Sequence, residues 1–249
     1  MENISAVTSF ILTAYTELED HRYLYFTCFL LVYILTILAN SGIFVVIFID
    51  RGLHEPMYLF ICNLAVNQIY GSTSLLPPIL CNLLSDNYEI SLTICLVQIF
   101  CIHLYSSTEF TILAVMSYDR YVAICHPLHY HLLMSHRKVC TLISMSWIYP
   151  CTMFGLYFIL TVQRTFCDRY IDKMFCINFA LVRLSCFEIS FQSIVGLFVE
   201  GSMHSVAERH TWTKRMQHLV TLEPGPDAAV AKNADGRRGA THAKKNATI

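Results

Sequence analysis

Residues 94–130 read ICLVQIFCIHLYSSTEFTILAVMSYDRYVAICHPLHY. From Ile94 to Tyr118 this stretch runs 25 residues with one charge, Glu109, and at Asp119-Arg120 it turns polar. Crossing a hydrocarbon core of roughly 30 Å takes about 20 apolar residues at about 1.5 Å each. A helix begun at Ile94 would therefore leave the lipid near that Asp-Arg pair. Three further runs behave alike: Phe26 to Ile49 has no charge in 24 residues, Met57 to Ser85 none in 29, and Val139 to Thr161 none in 23. A soluble amphipathic helix shows a charged face within two turns, and none of these does. A fifth run, Ile189 to Val199, stops after 11 residues at Glu200, short of a full crossing. The expected fold class is an all-α polytopic transmembrane helix bundle with four spans and an incomplete fifth.

Composition agrees. Of 249 residues, 55% are hydrophobic and 14% charged, against about 25% charged in an ordinary soluble domain. Seventeen basic against 18 acidic residues leave a net charge of −1, which offers no general attraction to nucleic acid. Eight of those 17 basic residues (Arg209, Lys214, Arg215, Lys232, Arg237, Arg238, Lys244, Lys245) follow position 200. Residues 200–249 are rich in Ala, Gly and charge, as in Glu223-Pro224-Gly225-Pro226-Asp227, the composition of a disordered tail. The chain thus divides into a membrane region, 1–199, and a polar tail, 200–249, whose basic residues could also meet anionic membrane lipid.

Orientation follows from basic residues in short loops. Arg120, Arg137 and Lys138 lie between spans three and four, against none in Tyr88 to Ser91 between spans two and three. This puts the 119–138 loop in the cytoplasm and the N-terminus outside, although Arg164, Arg169, Lys173 and Arg183 on the opposite side weigh against it. Asn3-Ile4-Ser5 is a glycosylation sequon in what reads as a free N-terminal tail. Met1 to Asp20 lacks the basic start of a cleavable signal peptide, so the first span is expected to direct insertion.

The 11 cysteines sort by position. Cys28, Cys62, Cys81, Cys101 and Cys151 fall inside apolar runs as small hydrophobes, and Cys125 and Cys140 flank the cytoplasmic loop. Cys95, Cys167, Cys176 and Cys186 lie on the expected outside, and four thiols in an oxidising compartment read as two disulfides with three possible pairings. Zinc is disfavoured, because Cys167, Cys176 and Cys186 lack the close spacing of paired ligands. His126, His129, His131 and His136 read as solvated loop residues rather than a metal site. No nucleophile, base and orienter can be assembled into a hydrolase constellation. The expectation is no cofactor, no metal and no enzymatic activity.

At the end of span three, an Asp beside an Arg at a membrane face can neutralise the guanidinium or release it to meet carbonyls of an incoming partner. The longer string, Met116-Ser117-Tyr118-Asp119-Arg120-Tyr121-Val122-Ala123-Ile124-Cys125-His126-Pro127, resembles the odorant-receptor family of rhodopsin-like G-protein-coupled receptors. Pro56-Met57-Tyr58-Leu59-Phe60 is similar to a motif of that family before its second helix. Asn40 and Trp147 sit where it carries an Asn and a Trp, and Cys167, Cys176 and Cys186 resemble its long second extracellular loop.

The resemblance implies a seven-helix cell-membrane receptor that binds small odorants and signals through a stimulatory heterotrimeric G protein, raising cyclic AMP. It implies disulfides Cys95 to Cys176 and Cys167 to Cys186, a ligand face at Ile102, His103, Ser106 and Ser107, and G-protein coupling through Asp119, Arg120 and Tyr121. Ile102, His103, Ser106 and Ser107 would serve equally to pack helices together. The intramembrane polar residues are Asn40, Gln68 and Glu109. An unpaired carboxylate inside a membrane is costly. Glu109 is matched by an acid on helix two in the family, but that position is Gln68 here, so Glu109 is expected to be protonated or bonded to Asn67 or Gln68 rather than to share a cation. The resemblance ends at Val199, with no runs for helices six and seven in residues 200–249. A truncated or frameshifted product is therefore the rival expectation: a nonsignalling fragment, retained in the endoplasmic reticulum or pairing with intact receptors.

Overall fold

The computed structural model describes residues 7–186. In chain order these form strand β1 (Ser9–Leu12), a 3-10 segment (Thr13–His21), helices α1 (Arg22–Ile49) and α2 (Pro56–Leu84), strand β2 (Glu89–Ser91), helix α3 (Leu92–Cys125), the single-turn α4 (Tyr130–Leu133), helix α5 (His136–Val162), strand β3 (Tyr170–Ile171) and the short α6 (Asn178–Arg183). The four long helices fall on the four long apolar runs, three uncharged and one with Glu109 alone. Residues 1–6, with the Asn3 sequon, the fifth run at 189–199 and the tail from 200 lie outside the described residues.

Local chemistry sets the helix ends. Pro56 opens α2 at a position where its missing N–H costs nothing. Ser91 caps α3, its Oγ accepting from the Ile94 N–H at 3.3 Å. The third helix does not stop where its uncharged run stops. It continues through Asp119 and Arg120 to Cys125, because those residues keep a helix going, whereas His126-Pro127 cannot.

α2 packs between α1 and α3, and α3 packs against α5. The outer helix α1 shows lipid-like exposure: Leu38 is 65% exposed, Phe48 74% and Ile49 73%, a contiguous apolar surface that water would not tolerate. By length and composition, three helices are apolar enough to cross a membrane, within Thr13–Ile49, Leu92–Cys125 and His136–Val162. α2 is not among them, so three of the four expected spans meet that measure. The reason is its polar content, since Asn63, Asn67, Gln68, Ser72, Thr73 and Ser74 all lie within it. As the central helix it meets protein on two sides, where such groups find partners.

Residues 7–21 are not a free tail. β1 is the middle strand of a small sheet of order β2-β1-β3. It runs antiparallel to β2, with Phe10 opposite Ile90, and parallel to β3, with Leu12 opposite Ile171. Phe10, Leu12 and Tyr15 are buried in one core with Ile79, Leu83, Ile99, Phe154, Phe166 and Leu181. The Tyr15 hydroxyl donates to the Met174 carbonyl at 2.6 Å. Arg169 ties the sheet's surface together, with Nη2 2.8 Å from Ser9 Oγ and 3.2 Å from Glu89 Oε1, and Ser9 Oγ donates to Glu89. A second core, of Phe60, Val122, Met134 and Val139, sits at the opposite end of the bundle.

Candidate functional site

Two disulfides brace the sheet end. Cys95, in the first turn of α3, is joined to Cys176 with Cα atoms 5.4 Å apart. Cys167 is joined to Cys186 at 5.2 Å. Both cysteines of the first bridge are fully buried, and Gln98, one turn along α3, accepts the Cys176 N–H at 2.9 Å. The long loop after α5 is thereby anchored to the top of α3. The three cysteines weighed as zinc ligands are thus consumed by two different bridges. Among the described residues, no group of three His, Cys, Asp or Glu side chains is placed to hold a metal.

Below this cap lie the four positions of the implied ligand face. Ser107 is buried, Ile102 and His103 are half-buried and Ser106 is exposed. The His103 ring stacks on Phe154 with centroids 3.7 Å apart, and Phe154 in turn meets Phe100, Tyr157 and Phe158. The structure brings His103 into an aromatic cluster shared by α3 and α5. It turns Ser106 away from that cluster.

Midway along the bundle, polar side chains join α2, α3 and α5. Trp147 Nε1 donates to Asn63 Oδ1 at 2.9 Å, and Asn63 Nδ2 donates to Ser146 Oγ at 3.2 Å. Thr111 Oγ1 donates to the Ser146 carbonyl at 2.8 Å. One turn further along α2, Gln68 Nε2 donates to Glu109 Oε1 at 3.1 Å while Gln68 Oε1 accepts from the Tyr105 hydroxyl at 3.0 Å. Of the partners expected for Glu109, the structure uses Gln68. Asn67 instead donates to the Tyr105 carbonyl at 3.2 Å. Asn40 bonds within its own helix, Nδ2 to the Thr36 carbonyl at 2.9 Å.

At the far end of α3, Asp119 is 1% exposed and accepts from the Tyr130 hydroxyl at 2.8 Å. Burial, and then the bond to this carboxylate, push the Tyr130 phenol above its ordinary range, so it stays a donor at any physiological pH. Neighbouring residues on a helix do not face each other, and Arg120 stands half-buried beside Asp119. The ion pairs among the described residues are Arg22 with Asp86 and Arg169 with Glu89. Of the two arrangements open to an Asp-Arg neighbour pair, the structure holds the one in which the carboxylate is engaged elsewhere. Tyr121 is 37% exposed and meets His126 edge-on at 6.2 Å. In the connection after α3, Leu128 is 95% exposed and Leu132 77%. The motif around Asp119 and Arg120 gives Tyr130 no role, although it lies only 10 residues beyond Arg120.

A disulfide-braced cap, a central polar seam and an Asp-Arg-Tyr helix end together define a receptor-type membrane bundle. The sequence pattern of the family described as Olfactory receptor matches residues 29–208. The chain is 35% identical to Olfactory receptor 1M1 of Mus musculus over 234 residues, covering 94% of this chain and 75% of that protein. It is 34% identical to Olfactory receptor 1M1 of Homo sapiens over 233 residues, covering 93% and 74%. With Olfactory receptor 6E1 of Mus musculus the identity is 36% over 200 residues, covering 80% of this chain and 64% of that one. The chain belongs to the olfactory receptor family of class A G-protein-coupled receptors. Members of that family are not enzymes.

Proposed function

We propose that these 249 residues form a receptor-family membrane subunit that does not by itself relay odorant binding to a G protein, and that acts by pairing with intact receptors or is held in the endoplasmic reticulum. The observation that carries this reading is the content of residues 200–249, which hold no uncharged apolar run of the length a crossing needs. Among the described residues, α1, α2, α3 and α5 supply the receptor-type part of the bundle, with Arg120 at the end of α3. Two disulfides at the cap favour an oxidising compartment on that side. The bridges and the basic loop residues both support a reading with the N-terminus outside and Arg120 in the cytoplasm.

A second reading, a self-sufficient odorant receptor, is favoured by the inner end of α3. There Tyr130 occupies Asp119, which leaves Arg120 without an ion pair to it, and the connection that follows exposes Leu128 and Leu132. Under this reading a small odorant would sit against Ile102, His103, Ser106 and Ser107. Asp119, Arg120 and Tyr121 would engage a stimulatory heterotrimeric G protein.

One experiment separates the two. Cells expressing the 249-residue chain with an N-terminal tag are challenged with a broad odorant mixture, while cyclic AMP and surface tag are measured together. Silence, with the tag inside or reaching the surface only alongside a co-expressed intact receptor, is the expected result. An odorant-evoked rise in cyclic AMP that Arg120→Ala abolishes would establish the second reading instead.

A further inference from the structure

The polar seam holds two groups that its hydrogen bonds do not account for. Asn67 and Thr108 are both 0% exposed. Asn67 spends its amide N–H on the Tyr105 carbonyl, leaving Oδ1 with no protein partner, and Thr108 Oγ1 has none at all. Other hydroxyls in these helices return to a carbonyl three or four residues back, as those of Ser72, Ser74 and Ser117 do. Thr108 does not.

Helix geometry places Thr108 opposite Asn67. At 3.6 residues per turn, Thr108 lies about 60° round the helix from Tyr105, and Thr111 about 60° further the same way. The Tyr105 hydroxyl reaches α2 at Gln68, and the Thr111 hydroxyl reaches α5 at the Ser146 carbonyl. Thr108 therefore points between them, into the line where α2 and α5 meet α3. Asn67 enters the same place from α2, because its amide already touches the Tyr105 carbonyl. Three residues along α3 are about 4.5 Å of rise, so Thr108 lies within one turn of the Tyr105 carbonyl that Asn67 touches, within the reach of a single water that makes two ordinary hydrogen bonds. Buried waters characteristically satisfy such leftover groups.

We propose that Asn67 and Thr108 form an internal water site, in which one ordered water donates to Asn67 Oδ1 and accepts from the Thr108 hydroxyl. The site couples α2 to α3 beside the Gln68–Glu109 pair. It makes the middle of this membrane bundle hydrated on its protein-facing side.

The test uses the 249-residue chain in lipid nanodiscs. Thr108→Val keeps the side-chain shape and removes the hydroxyl. With a bridging water, Thr108→Val and Asn67→Leu each lower the melting midpoint by about 2–4 °C or more. The double variant then melts no lower than the worse single one, because either change already loses the water. If the groups are simply unpartnered, Thr108→Val leaves the midpoint unchanged or raises it, and the effects add. That result would overturn the proposal. Radiolytic hydroxyl labelling gives a readout that does not depend on variant folding. Tyr105, the reactive aromatic at the site, should be oxidised in the wild-type chain, and a wild-type Tyr105 that resists labelling would also overturn it.

Discussion

Gly71 sits where α2 comes closest to α3, and replacing it with alanine tests that packing directly. A Cβ built on Gly71 would meet Cδ2, Cγ and Cε2 of Tyr105 all at or inside 2.5 Å. Ordinary carbon contacts lie at about 3.5–4.0 Å, so the ring would have to retreat by about 1 Å. It is not a free side chain, because its hydroxyl is held by Gln68, which in turn holds Glu109. Overpacking of this kind costs about 1–3 kcal/mol, and losing the Tyr105–Gln68 bond about 1 kcal/mol more. Alanine returns about 1 kcal/mol through its better helix propensity. The net loss is about 1–3 kcal/mol, or about 4–8 °C in melting midpoint at the middle of that range. Gly155→Ala is the matched control, since a Cβ there meets nothing within 4 Å and should be neutral or slightly stabilising. Both variants would be melted in detergent or nanodiscs, with Gly71→Ala/Tyr105→Ala as the relief variant. Equal melting of the Gly71 and Gly155 variants would refute the argument. So would a Gly71 defect that the Tyr105 truncation makes no smaller.

Other perturbations reach other parts of the bundle. Tyr130→Phe removes the hydroxyl that serves the buried Asp119 carboxylate, and thermal denaturation should show a loss of about 1–3 kcal/mol. A variant as stable as the parent would mean that this bond carries no weight. The disulfides should differ in value, because they close segments of 81 and 19 residues. Chain entropy assigns them about 4.5 and 3.2 kcal/mol, so Cys95→Ser/Cys176→Ser should melt below Cys167→Ser/Cys186→Ser. The reverse order would place the stabilisation in local packing of the loop. Trp147→Phe leaves Asn63 Oδ1 without its donor at mid-membrane. It should cost about 1–3 kcal/mol, and an Asn63→Leu partner change should recover part of that in a double-mutant cycle.

The long helices were legible because charge is the one feature that lipid cannot accommodate cheaply, so uncharged runs map onto spans. Their ends were less legible. A charge count stops at Tyr118, yet α3 continues to Cys125, since leaving the hydrocarbon and ending a helix are separate events with separate causes. The cap sheet was not legible. Ser9–Leu12 is four residues long, too short to establish an alternating pattern, and its partners lie about 80 and 160 positions away. The sequon nearby suggested a free tail, but sugar acceptance at Asn3 carries no information about Phe10 or Tyr15. Those side chains are buried because the disulfide-anchored loop supplies Phe166 and Ile171 to cover them.

The site residues divide along the same physical line. Glu109 announces itself as the one acid inside a span, and an amide partner on α2 was foreseeable, because only protein can pay an intramembrane carboxylate its missing solvation. Tyr130 was not foreseeable as the partner of Asp119, because an adjacent arginine offers the more obvious charge pair and only the fold of the 126–135 connection brings the phenol back to α3. α2 carries the general lesson. It carries amides and hydroxyls along its uncharged run and packs between α1 and α3. Amides and hydroxyls such as those of Asn63, Gln68 and Tyr105 can be satisfied side chain to side chain, so a central helix can hold them at little net cost. An outer helix facing lipid cannot. Several amides and hydroxyls in an uncharged run of spanning length are therefore a mark of an interior helix, and those residues name the faces on which the neighbours pack.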